Sequence, residues 1–253
     1  MIKIGNFVDT NQNLKIVEEK GIFKVIEHQS DLSVHPQEAP LKYYMKEMGC
    51  RERQLMVMLK DNAVRLKPGA MQFMLGRIES NSGVTGAGDL LKKSIKSSMT
   101  GNAAIKPVYT GSGILMCEPT YDHLLIENMS EWNGAMVCDD GLFVCCDDEI
   151  KDTVVARSNL SSAMLGGEGF FNLCLRGTGH AVIRSRVPRS ELYEIRLEND
   201  VVKIDGNNAI CWSASLQFTT EKSGKSLIGS AASGEGLVNV YRGTGKILMA
   251  PLK

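Results

Sequence analysis

The chain has 253 residues, enough to bury a sizeable core as one large domain or two small ones. Lys+Arg and Asp+Glu balance at 29 each, so no global field draws in DNA or an anionic membrane surface, and an aromatic content of 6% is thin for stacking RNA bases. No apolar run approaches the roughly 18 residues of a membrane-spanning helix, and residues 1–25 lack the charged-then-apolar order of a signal peptide. The seven cysteines are odd in number and irregularly spaced, most of them inside Val/Leu/Ile-rich runs. That usage predicts free thiols in a reducing cytoplasm, with no disulfides.

In chain order, Leu14, Ile16, Phe23 and Val25 alternate with polar residues around Gly21, which predicts a hairpin over 14–28. Residues 39–48, with Pro40 in the first turn, predict one or two helical turns. Met56–Leu59 and Ala63–Leu66 read as strands. Polar, small-residue connectors cover 79–100, 147–166 and 214–233; the first contains Asp89-Leu90-Leu91, which suits a short amphipathic helix capped by Asp89. Strand-like runs every 8–12 residues with little helix predict an all-β protein.

A Gly-x-Gly triplet recurs at 111, 177 and 243, an interval of 66 residues each time, followed on each occasion by an apolar run. The flanks match as well: Gly167-Glu168-Gly169 leads to Arg176-Gly177-Thr178-Gly179, and Gly234-Glu235-Gly236 leads to Arg242-Gly243-Thr244-Gly245. A fixed period of this size predicts a repeated structural unit. Glycines between two β-rich runs predict a tight hairpin turn at each triplet. Because the last triplet lies close to the C-terminus, its repeat is expected to be completed by strands near the N-terminus. The predicted organisation is therefore an extension over 1–50, repeat A made of 51–100 with 234–253, repeat B over 101–166 and repeat C over 167–233.

The block 234–251, its echo at 167–183 and Lys67-Pro68-Gly69-Ala70-Met71 resemble the altered-inheritance-of-mitochondria family, protein twenty-four, over roughly residues 51–253. The resemblance implies three β-sandwich repeats, similar to the Trp RNA-binding attenuation protein subunit, around a pseudo-threefold axis. It brings no catalytic residues with it.

Motifs with chemical potential are few. Ser223-Gly224-Lys225-Ser226 imitates the end of a P-loop, but the required upstream glycine is Thr219. Gly83–Gly88 carries its glycines in the wrong order for a dinucleotide fingerprint, so both stretches read as connectors. Cys138, Cys145 and Cys146 lie among aspartates, yet Cys145 and Cys146 should face opposite sides of one strand, and neither spacing nor a nearby histidine supports zinc. One exposed member of the Cys145/Cys146 pair would be a redox candidate. Arg176 and Arg242 precede two of the triplets and are the candidates for an anion or partner site at the axis, with Thr110 in the third position. His180 stands where the other units carry Ile114 and Lys246, which reads as a variable flank.

The expected function is a non-enzymatic binding or assembly scaffold, homo-oligomeric, open to a protein partner and without cofactor or metal. Single-stranded RNA binding follows only by fold analogy. A small-ligand carrier or enzyme with its site at the axis is the third expectation.

Overall fold

The computed structural model describes residues 3–83, 106–138, 140–156, 171–206, 208–222 and 237–251. The predicted helix at 89–96, the Gly-rich run after Gly83, Ser223–Ser226, Glu168 and Glu235 lie outside these residues. The described chain is all-β apart from one helix and three short 3-10 turns, and its strands form two curled sheets.

The predicted hairpin is present as β1 (Leu14–Lys20) and β2 (Phe23–His28), turning at Gly21 with φ +59. The helix α1 (Ala39–Glu47) also forms where expected, with Pro at its first turn. The hairpin is integral to the larger sheet. β2 pairs with β3 (Arg53–Leu66) from Phe23↔Val57 to Glu27↔Arg53, and Phe23 and Val25 share a core with Leu55 and Leu115. Each such fully buried side chain contributes about 1.5–3 kcal/mol.

Three segments follow. The first continues from β3 into β4 (Met71–Asn81) and β5 (Val108–Cys117). The second contains β6 (His123–Asn128), β7 (Ala135–Cys138), β8 (Phe143–Asp147), β9 (Lys151–Ala156), β10 (Phe171–Arg176) and β11 (His180–Ser185). The third contains β12 (Tyr193–Asp205), β13 (Ala209–Ser213), β14 (Gln217–Lys222) and β15 (Leu237–Met249). β3, β4 and β5 belong to the eight-stranded sheet, and β12 to β15 to the seven-stranded one. The middle segment runs through both, with β6, β8 and β11 in the first sheet and β7, β9 and β10 in the second.

The triplets are not hairpin turns. Gly111 and Gly113 lie inside β5, Gly243 and Gly245 lie inside β15, and Gly177-Thr178-Gly179 is the step where the chain leaves β10 for β11 in the other sheet. In each case a strand bends while its neighbour keeps pairing on both sides, and the neighbour bulges opposite the bend. Register slips at Lys60/Asn62 facing Gly111 and at Leu197/Asp200 facing Gly243–Gly245. In the middle segment the bulge grows into a 3-10 turn (Met129–Trp132) between β6 and β7. The bulge residues Asp61 and Asn199 adopt φ +61 and +52, and their amides donate to the hydroxyls of Ser112 and Thr244, each at 3.0 Å. The hairpin reading failed because positive-φ glycines serve a strand that must bend as well as a chain that must reverse.

The strand placed at the C-terminus also differs from expectation. β15 pairs with β12, β13 and β14, and no ladder among the described residues joins it to 51–81. Antiparallel ladders join strands within 53–117, within 123–185 and within 193–249, and the triplets lie in or beside the last strand of each of these segments.

A Cβ on Gly111 would sit 2.0 Å from Arg77 O at a φ of +131, whereas one on Gly49 (φ +77) meets nothing within 4 Å. Gly49→Ala should therefore cost only the ~1–2 kcal/mol of left-handed backbone. Gly111→Ala adds displacement of a paired strand and should cost about 3–5 kcal/mol, read as a much larger drop in the guanidinium unfolding midpoint.

Candidate functional site

Arg242 is already committed. Its guanidinium pairs with Glu221 at 2.7 Å and donates to Thr219 Oγ1 at 3.2 Å, both on β14 beside it. Arg176 is exposed at the end of β10, opposite Ala135 on one side and Lys151 on the other. The two arginines lie on separate ladders and share no common partner among the described contacts, and Thr110 pairs within the other sheet.

Cys145 and Cys146 point to opposite sides of β8, as alternation requires: Cys145 packs with Leu55 and Leu115, Cys146 with Phe143 and Trp132. Neither is the exposed thiol that a redox role needs, since they are 0% and 1% exposed. Burial pushes the Cys145 thiol well up and the Cys146 thiol to about 12, so both stay protonated. Among the described residues no three His, Cys, Asp or Glu side chains stand together as a metal site.

The position after each triplet does have consequences, different ones each time. His180 lies with Nδ1 3.8 Å from Asp147 Oδ2 while its amide donates to the same oxygen at 2.8 Å. Burial outweighs those contacts and raises the Asp147 carboxyl. Lys246 lies 4.2 Å over the Trp132 ring, with Glu131 at 3.3 Å and Glu194 at 3.7 Å. Beside it Glu127, 1% exposed, accepts from Trp132 Nε1 at 3.0 Å and pairs with Arg189. Sequence reasoning missed this cluster because its members are scattered from 127 to 246 without a spacing that marks them. It is a satisfied network in which the buried Glu127 and Lys246 each face opposite charges nearer the surface.

Two surface features are less satisfied. Among the described residues β4 pairs only with β5 and β12 only with β15, so each leaves its outer edge without a strand. Both edges carry apolar side chains, including Met74 at 39% exposure and Val201 at 47%. The second feature is a cleft of about 200 Å³ where β3 meets β8, with Leu55, Ala70, Cys117 and Leu124 inside and Lys67 and Arg184 on its wall.

Comparison with known proteins matches the chain to a family and to two bacterial proteins. The family described as Mitochondrial biogenesis AIM24 matches residues 47–252. An uncharacterized protein of Streptococcus pyogenes serotype M6 is 24% identical over 198 residues, covering 75% of this chain and 77% of that protein. The crystal structure of a Streptococcus pyogenes protein superimposes with a TM-score of 0.60 at 22% identity, covering 80% of this chain and 89% of that one. The latter similarity establishes a shared fold.

The cysteines give a direct check. Cys50 is exposed and the other six are buried free thiols. A native-state titration with a chromogenic disulfide at pH 8 should register one fast thiol, and Cys50→Ser should abolish it. Rapid reaction at Cys145 or Cys146 would contradict their burial.

Proposed function

The chain belongs to the Mitochondrial biogenesis AIM24 family, and from that premise we propose that it is a non-enzymatic assembly module whose binding surface is the pair of strand edges on β4 and β12. Its three segments are copies of one unit, and a second copy of the chain joins at the edges that the first two junctions leave over. The free cysteines, all but Cys50 buried, accord with a reducing, cytoplasmic setting.

The register carries this reading. The first and second segments meet through Val64↔Asp147, Arg65↔Cys146 and Leu66↔Cys145. The second and third meet through Met136↔Ser213, Val137↔Trp212 and Cys138↔Cys211. Counting from the glycines, Val202, Lys203 and Ile204 of β12 hold the places of Val64, Arg65 and Leu66. Counting from the register slip that recurs at Phe143/Cys145, Ala209/Cys211 and Met71/Phe73, the strand β4 offers Leu75, Met74 and Phe73 in the places of Asp147, Cys146 and Cys145. The third junction would therefore pair Val202↔Leu75, Lys203↔Met74 and Ile204↔Phe73. In the formed junctions the counterparts of Met74 are 1% exposed (Cys146) and 5% exposed (Trp212), against 39% for Met74 itself. An uncovered apolar edge with a complementary edge on the same chain is a template for self-association.

Light scattering at micromolar concentration should find an oligomer, and Met74→Lys should convert it towards monomer without lowering the melting temperature. Oxidised Met74→Cys/Lys203→Cys protein should form covalent dimers and higher species. A monomeric wild type would remove the assembly reading. A disulfide closing within a single chain would do so too, because the third junction would then be internal.

A further inference from the structure

Independently of assembly through the strand edges, we propose that the outward face of α1 is a docking surface for a cationic amphipathic helix of a partner protein. A helix on a globular protein ordinarily turns its apolar stripe to the core and its charges to water. α1 does the reverse, and none of its residues is buried. Leu41, Tyr44 and Met48, spaced i, i+3 and i+7 on one stripe, are 63%, 67% and 81% exposed. Met48 belongs to that stripe because its amide still donates to Tyr44 O at 3.0 Å, which carries the last turn through it. The opposite side holds Lys42, Met45 and Lys46, which line a narrow groove against His28 and Arg51. Lys42 pairs with Asp31 at 2.9 Å and donates to the Tyr121 hydroxyl, so the helix is held down by its polar side. The family match begins at residue 47, so all of α1 but its last residue is additional to the matched fold.

Charge chooses the occupant. With both lysines turned inward, the charged residues left on the outward face are Glu38 and Glu47, which helical spacing sets on either side of the stripe. Both are exposed, and neither is in an ion pair among the described residues. Tyr43 and Tyr44, their ring centroids 5.5 Å apart in edge contact, add exposed aromatic faces on which a guanidinium can stack. A second copy docking through the same helix would bring two acid-bordered faces together, and an anionic lipid surface would meet the same repulsion. An apolar stripe flanked by arginine or lysine complements the face in both shape and sign. Three apolar side chains make a small contact, so the complex is a weak, transient one.

The probe is a stapled helical peptide with leucines along one side and arginines beside them. The same peptide with glutamates in place of the arginines, and phosphatidylglycerol vesicles, are the comparisons. Fluorescence anisotropy with the full chain should show saturable binding of the arginine peptide that weakens as salt rises, with amide exchange slowed over residues 39–48. Leu41→Ser with Met48→Ser should weaken binding by at least about tenfold, and Glu38→Gln with Glu47→Gln by roughly fivefold. All four positions are exposed, so neither variant should melt earlier than the wild type. No saturable binding by the wild type, or undiminished binding by the serine variant, overturns the site. Equal binding of the glutamate peptide overturns the cationic partner. Vesicle binding that the serine variant loses assigns the face to a membrane, and a smaller oligomer in that variant assigns it to a second copy; either result overturns the proposal. If the serine variant does not fold, undiminished binding to the Glu38→Gln/Glu47→Gln protein overturns it alone.

Discussion

Backbone meets backbone at the first two glycine triplets more closely than any side chain permits. Leu75 O lies 1.9 Å from where a Cβ of Gly113 would sit, Arg77 O 2.0 Å from that of Gly111, and Glu149 O 2.5 Å from that of Gly177. Because no Cβ intervenes, a strand can bend and still pair on both sides of the bend. A flat ladder of this length would separate or run out as a stiff ribbon; a bent one curls back over its own apolar face. The bulges opposite the bends are the other half of the device. They take up the extra length of the outer strand, and the hydroxyls of Ser112 and Thr244 satisfy amides that the bulge removes from the ladder.

The bends also decide where charge can be buried. The residue after the second glycine emerges from the bend toward a neighbouring ladder, and its surroundings differ in each unit. Lys246 meets Trp132 and two carboxylates, His180 meets Asp147, and Ile114 meets β3 and β4. Glu127 is tolerated at 1% exposure only because Trp132 and Arg189 both reach it. Such a network contributes little net stability when complete and costs several kcal/mol when broken.

Much of this fold was legible in the residues. Alternation gave the hairpin at Gly21, Pro40 gave the start of the helix, and the side-switching of Cys145 and Cys146 followed from strand pleating alone. The triplets marked places where the chain holds glycine at positive φ. Their frame was not legible, because a spacing fixes how often a marker returns and not which part of the unit it marks; both the hairpin reading and the unit shared between the termini came from that ambiguity. The candidate sites were less visible still. Arg242 and Glu221 are neighbours only through the β14–β15 register, and the cleft where β3 meets β8 is lined by residues scattered from 55 to 184.

The sequence by itself determined the all-β class, the places where the chain must do without a Cβ and the family to which the chain belongs, because these rest on local periodicity and on conformations open only to glycine. Tertiary structure decided that the glycines bend strands instead of reversing them, which thiols are buried, which ions pair, and which strand edges are left without a partner among the described residues. Those outcomes depend on contacts between residues far apart in the chain, whose free energy exists only once the ladders have set their register.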